Sequence, residues 1–283
     1  MKSKTASLPY IIWMIIFIVV PMILVVFFAF TDKSGQFTLE NIAKVGQYSN
    51  VFLRSIWMGA LATLISLILG YPLAYIIAHT HARRQNVMIM LVMLPMWMNF
   101  LLRTYAWMTL LEDSGLINTA LTALGLPPVK LINTAGAVVL GMVYNYIPYM
   151  ILPLYSILTK IDGSVIEAAQ DLGANRLRVF LRVILPMSMP GMISGVTMVF
   201  VPSVSTFIIS KMLGGGGNLL IGDLIDMQFL GNAYNPNLGS AISLVLMVLI
   251  LICMGIMNQF DDGSENMEGG MMLCRCSPKF TPC

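Results

Sequence analysis

Between Lys160 and Gly191 the chain reads KIDGSVIEAAQDLGANRLRVFLRVILPMSMPG, a polar, basic island between two long apolar runs. Its first part has the grammar of two short helices. Ser164 with Glu167 three residues later forms a capping box, in which hydroxyl and carboxylate each satisfy an amide that a helix start leaves without a partner, so a helix is expected from Val165. Ala168 and Ala169 keep one side of it thin, Gly173 permits a turn, and Asn175 caps a second helix that carries Arg176, Arg178 and Arg182 toward Pro186. The result is a protrusion, small on one side and basic on the other, suited to the grip of another protein. A plainer reading leaves Glu167 as a cap and the arginines as charges that keep the segment on the inner side of a membrane.

The flanks of this island determine the class. A charge near the bilayer centre costs on the order of 3 kcal/mol, so intervals without charge mark spans. Six intervals qualify: Lys4 to Asp32, Arg54 to Arg83, Arg84 to Arg103, Lys130 to Lys160, Arg182 to Lys211, and Asp226 to Asp261. They place spans near 10–30, 55–78, 87–111, 134–159, 187–210 and 238–260, each close to the roughly 20 residues a span requires. The 283 residues are 58% hydrophobic and 10% charged, with a net charge of +3, which excludes a soluble enzyme and leaves no basic surface for nucleic acid. The chain is therefore expected to be an all-α integral membrane bundle of six spans, with residues 1–9 as an N-terminal segment and 10–260 as one transmembrane domain.

Lys2 and Lys4 precede an apolar run too long for a signal peptide and without a small-x-small cleavage site, so an uncleaved anchor is expected. With the N-terminus inside, the inner segments collect Lys2, Lys4, Arg83, Arg84, Lys160, Arg176, Arg178 and Arg182, against Lys33, Lys44, Arg54, Lys130 and Lys211 outside. That bias puts both termini on the cytoplasmic side. Outside, 112–133 carries a short amphipathic helix that stops at Gly125. Arg103 interrupts the third span and must either snorkel to the outer interface or face protein and water within the bundle. Prolines 21, 72, 95, 148, 153, 190 and 202 kink the spans, which favours a moving conduit over a rigid anchor. Gly191 and Gly195 open a close helix contact. From Asp261 the sequence DDGSENMEGGMMLCRCSPKFTPC has no apolar period, and 261–283 is expected to be a disordered tail whose Cys274, Cys276 and Cys283 lack zinc-ribbon spacing.

Catalytic chemistry is missing from the pattern. No Asp or Glu falls inside an expected span, which removes an intramembrane aspartyl protease and weakens a proton-coupled carrier. His79 and His81 sit two apart at an inner edge, facing different sides of a helix, and read as interfacial polar residues. Gly214–Gly217 lacks the lysine of a phosphate-binding loop and reads as a flexible outer loop. No metal site and no cofactor is expected in this chain.

The island's spacing then adds a resemblance. Glu167-Ala168-Ala169, three residues, Gly173, nine residues and Val183-Ile184-Leu185-Pro186 resembles the E-A-A-x3-G-x9-I-x-L-P signature of binding-protein-dependent ABC transporter permeases, with Val183 in place of isoleucine. NFLLRTYAWMTLLEDSGLIN at 99–118, residues 153–195, and STFIISKMLGGGGNLLIGDLI at 205–225 with GSAISLVLM at 239–247 are similar to the spermidine/putrescine, PotB-type, branch of that family. The resemblance spans residues 8–260 and implies a type I importer permease. In it, the loop 160–186 is a cytoplasmic coupling helix, with Glu167, Ala168, Ala169, Gly173, Arg176 and Pro186 at the joint with an ABC ATPase. It further implies an ATPase dimer that binds ATP and Mg, a second homologous permease, an extracytoplasmic polyamine-binding protein, and a bacterial cytoplasmic membrane with its lipid as the setting. This chain would hold no ATPase site of its own. For a polycationic cargo, aromatic faces and carboxylates are the natural stabilisers, which nominates Tyr105, Trp107, Tyr144, Tyr149, Asp223 and Asp226 along the pathway. Arg103 would repel such a cargo and is assigned to a partner or phospholipid. The alternatives are the same machinery with another small solute, an ion-coupled carrier acting alone, which would show intramembrane carboxylates and inverted repeats, and a structural membrane protein, which would not need the E-A-A spacing.

Overall fold

The computed structural model describes residues 8–32, 34–231 and 234–273, and apart from one isolated bridge between Thr31 and Phe37 the regular structure among them is helical. The helices are α1 (Pro9–Ala29), α2 (Glu40–Ala78), α3 (Ala82–Trp97), α4 (Phe100–Leu111), α5 (Leu116–Ala123), α6 (Ala135–Leu158), α7 (Gly163–Asp171), α8 (Arg176–Met187), α9 (Met189–Ser205), α10 (Ile208–Leu213), α11 (Ile221–Phe229) and α12 (Pro236–Leu273). In a bilayer the backbone must be satisfied within the chain, which such helices accomplish.

Four helices are each long and apolar enough to cross a membrane: α1, α2, α6 and α12, the last over Pro236–Met257. The count reaches six when two bent pairs are each taken as one span, α3 with Phe100–Ala123 at 89° and α8 with α9 at 62°. The third expected span, 87–111, is thus two helices with a break. Met98 and Asn99 are extended, and the Asn99 carboxamide oxygen starts α4 by accepting from the amides of Leu101 and Leu102 at 2.8 and 3.4 Å. α12 continues to Leu273, into the segment whose composition lacks an apolar period, while Cys274, Cys276 and Cys283 lie outside the described residues.

The centre of the bundle is α2, α6 and α9, packed on one another. Small residues permit the close approach that membrane helices use in place of a hydrophobic driving force. A Cβ on Gly59 would lie 2.8 Å from Val204, and one on Gly195 2.8 Å from the sulfur of Met150. Gly191 and Gly195 both face α6, since a Cβ on Gly191 would stand 3.1 Å from the Pro153 carbonyl. The buried apolar residues form three clusters. One gathers Val45, Phe52, Leu224 and Ile242, a second Met58, Val138, Met142 and Ile209 around the start of α6, and a third Ile77, Met150, Leu154, Val179 and Ile184 at the end that carries α7 and α8. α1 packs on α12, and none of its most apolar window is buried within the chain, so that face belongs to lipid or to a partner.

Candidate functional site: the α7–α8 knuckle and the bundle above it

α7 begins two residues earlier than the capping box predicts. The carboxylate of Asp162 accepts the Ser164 amide at 3.0 Å, so the cap is Asp162, while Ser164 and Glu167 are both exposed on the helix. A carboxylate does this better than a hydroxyl, because its charge also meets the positive end of the helix dipole. The far end of α7 explains the spacing of the small residues. Gly173 has φ +79°, its amide donates to the Gln170 carbonyl at 2.8 Å, and the Ala174 amide donates to the Ala169 carbonyl at 3.1 Å. This is a Schellman close, which requires a left-handed residue four positions after the residue whose carbonyl receives the longer bond. Ala169 and Gly173 are those two residues, and Ala169 and Ala174 make its apolar contact with the bundle end. Asn175 then caps α8, its carboxamide oxygen accepting from the Arg178 amide at 2.8 Å.

The outward face of this knuckle is apolar as well as basic. Leu172 is 89% exposed and Leu177 66%, with Val165 and Leu181 also exposed, beside Glu167, Ala168, Arg176, Arg178 and Arg182. Sequence reasoning named the alanines, glycine and arginines and passed over Leu172 and Leu177, whose signal was an apolar residue on each side of a turn glycine. Pro186 closes the stretch. It has no amide to give the Arg182 carbonyl and its ring crowds that group, and the helix widens to a π turn over Phe180–Ile184 just before it.

The residues nominated for a pathway fall into separate groups. Trp107 and Tyr144 meet, ring centroids 5.1 Å apart at 68°. Arg103 joins them: its guanidinium lies 5.9 Å from the Tyr144 ring and 5.7 Å from that of Phe100, and Nη1 donates to the Pro95 carbonyl at 2.6 Å. With 7% of its surface exposed, Arg103 neither snorkels nor reaches a lipid or a partner. The break between α3 and α4 leaves Pro95 at a helix C-terminus, where a cation is favoured, and Arg103 folds back onto it. Tyr105 is half-exposed, and Tyr149, 39% exposed, has the Tyr146 ring at 6.4 Å.

Asp223 and Asp226 share a cavity of about 200 Å³ with Ser210, Lys211 and Asn218. Asp223 caps α11 by accepting the Leu220 amide at 2.9 Å, and its other oxygen is buried without a partner. Asp226 pairs with Lys211 at 3.1 Å. Burial pushes the Asp223 carboxyl above its ordinary value of 3.8, the Leu220 amide, the nearby Ser210 hydroxyl and Lys211 opposing it and Asp226 adding to it. The glycine run beside this cavity is a pinned turn rather than a loose loop. Gly215 and Gly216 have φ +60° and +76°, a Cβ on Gly215 would overlap the Asn133 side chain, and the Gly217 carbonyl accepts from Arg54 at 2.8 Å. Among the described residues no group of three His, Cys, Asp or Glu stands close enough to hold a metal ion.

A scan against protein-family models matches residues 70–263 to the binding-protein-dependent transport system inner membrane component family. The spermidine/putrescine transport system permease protein PotB of Haemophilus influenzae is 38% identical over 250 residues, 85% of this chain and 87% of that protein. PotB of Escherichia coli is 36% identical over 248 residues, 84% of this chain and 90% of that protein. Among solved structures, a bacterial ABC transporter involved in the import of the acidic polysaccharide alginate superposes with a TM-score of 0.77 at 19% identity, over 93% of this chain and 94% of its own, a likeness of fold. The all-helical bundle, the knuckle with its Glu-Ala-Ala and glycine, and these likenesses agree, and the chain belongs to the binding-protein-dependent transport system inner membrane component family.

Proposed function

We propose that this chain is one permease subunit of an ATP-driven importer of spermidine and putrescine in a bacterial inner membrane, with both termini cytoplasmic. It carries no bond-breaking chemistry. Its work is to be stabilised differently in inward- and outward-facing states. Two copies of a cytoplasmic ATPase bind ATP and Mg and drive the cycle, a second homologous permease completes the pathway, and an extracytoplasmic binding protein delivers the polyamine. Glu167, Ala168, Ala169, Gly173, Arg176 and Pro186 build the joint with the ATPase. Leu172 and Leu177 are added to that joint because apolar side chains this exposed on a polar loop end gain by being covered. Trp107 offers an aromatic face to a polycation beside Tyr144, whose ring already carries the Arg103 guanidinium, Asp223 and Asp226 offer carboxylates at the end of the bundle away from the knuckle, and Tyr105 and Tyr149 are surfaces for the second permease or the pathway.

The observation that carries this reading is the knuckle itself, a rigidly closed helix with an uncovered apolar and basic face. Leu172→Glu tests it without disturbing the bundle. The variant is expected to insert normally, to lose co-purification with the co-expressed ATPase, and to lose at least tenfold of ATP-dependent spermidine uptake, about the effect of one buried side chain at an interface. Wild-type uptake by this variant would reject the joint.

A further inference from the structure

Among the contacts between the knuckle and the bundle, one tyrosine makes two, at two separate points of α8 and its end. Phe180, at the start of the π turn, stands edge-to-face against two rings on successive turns of α2: Tyr71 at 5.7 Å and Tyr75 at 5.9 Å, both at 88°. Eight positions later Ser188 occupies the 62° bend between α8 and α9, fully buried. Its hydroxyl proton goes to the Leu185 carbonyl at 2.9 Å, so at 2.9 Å it accepts from the Tyr71 hydroxyl. Both ends of the strut Phe180–Ser188 therefore rest on Tyr71, one by ring contact and one by hydrogen bond. That strut is stiffened by packing, since Ile184 is 3% exposed, and it holds the widened turn before Pro186. On α2, Tyr71 is 8% exposed and is followed by Pro72, which removes the amide that would hold the Ile68 carbonyl and makes this the yielding point of the helix.

We infer that Tyr71 is the positioning residue through which a displacement of the α7–α8 knuckle reaches α2 at Pro72, and with it the α2–α6–α9 centre of the bundle. The inference rests on the proposed ATPase joint. A knuckle moved by a partner displaces the strut as one body, because the contacts at its two ends are made by the same side chain. Pulling on Tyr71 beside Pro72 opens or closes α2 where it resists least. A buried tyrosine that only filled space would need its ring and not its hydroxyl, whereas this one spends the hydroxyl on the residue at the bend.

The test uses the full complex, this chain with its second permease and ATPase, reconstituted in liposomes with binding protein and labelled spermidine. Tyr71→Phe keeps the ring and removes the hydroxyl, Ser188→Ala removes the acceptor, and the double variant removes both. Spermidine imported per ATP hydrolysed is expected to fall about fivefold in each single variant, the equilibrium factor of one ordinary buried hydrogen bond, and no further in the double. ATPase capture and hydrolysis stay at wild-type level. A wild-type ratio of import to hydrolysis in Tyr71→Phe and Ser188→Ala would overturn the inference. So would a parallel fall of import, hydrolysis and melting temperature, which marks a packing residue. Phe180→Leu, which shortens the other arm, must lower the same ratio. If the wild-type complex itself neither captures an ATPase nor imports, the parent reading fails and this one goes with it.

Discussion

Asp223 has two oxygens in two environments, and its pH behaviour follows from them. One accepts the Leu220 amide, and the other is buried near the Ser210 hydroxyl, which also reaches the Phe207 carbonyl at 3.0 Å. Burial outweighs the amide, the Ser210 hydroxyl and Lys211, and the folded-state carboxyl holds its proton to higher pH than in the unfolded chain. The folded state thus binds more protons than the unfolded one in the window that opens near 3.8 and closes at the raised folded value. Stability is highest below that window, falls as pH rises through it, and stays lower above it. Asp223→Asn keeps an acceptor for Leu220 and cannot ionise. Melting of the detergent-solubilised variant is expected to lose this slope and, at neutral pH, to match or exceed wild type. A slope that persists in the variant would falsify the assignment. At this scale the sequence reading was uneven for physical reasons. Gly173 was legible because only a left-handed residue fits a close so soon after Ala169. Asp162 was missed as the cap because Ser164, two positions on, satisfies the same pattern, and only geometry tells which amide each side chain reaches. Arg103 was misassigned because its acceptor, the Pro95 carbonyl, exists only where the helix breaks.

At the level of elements, the bundle centre depends on glycines facing side chains that differ in how far they yield. At Gly195 an added Cβ meets the flexible sulfur of Met150 at 2.8 Å and then its carbonyl at 3.2 Å. Alanine is tolerated by a shift of the Met150 side chain, but valine drives a branch into the α6 backbone. Gly195→Val is expected to cost about 1–3 kcal/mol, the usual penalty of overpacking, and Gly195→Ala less than half of that. Thermal unfolding in detergent reads both, and equal stability of the two variants would show that α6 and α9 do not meet at Met150. Helix existence was readable from charge-free intervals, because a bilayer penalises charge whatever the tertiary packing. Helix continuity was not. The interval 84–103 is apolar and uniform, yet Pro95 frees carbonyls and Asn99 offers a cap, and those two residues break one expected span into α3 and the segment Phe100–Ala123, at 89° to each other. Similarly, α8 and α9 join at 62° where Pro186 and Pro190 bracket Ser188.

For the whole molecule, the basic residues divide by what they are committed to. At the end of the bundle that holds the Gly214–Gly217 turn, Lys44 pairs with Glu40 at 2.8 Å, Lys211 with Asp226, and Arg54 donates to the Gly217 carbonyl, while Lys130 is exposed. At the other end, Arg83, Arg84, Lys160, Arg176, Arg178 and Arg182 are all exposed. The two ends are separated by α6, whose 24 residues start beside that turn, where the Asn133 amide donates to the Leu213 carbonyl, and finish at the knuckle. Such a helix is about 36 Å long, enough to cross a bilayer. In the proposed orientation the six exposed cations of the knuckle end lie on the cytoplasmic side, with the turn outside and the knuckle inside. In a chain whose Cys253, Cys274, Cys276 and Cys283 are replaced by serine, cysteines introduced as Ser164→Cys and Gly217→Cys report this directly, since both positions are exposed and a Cβ on Gly217 meets no neighbour within 4 Å. A membrane-impermeant maleimide added to intact spheroplasts is expected to label Gly217→Cys and to reach Ser164→Cys only after permeabilisation. Labelling in the opposite order would turn the molecule over, place the knuckle where no cytoplasmic ATPase can touch it, and end the transport reading altogether.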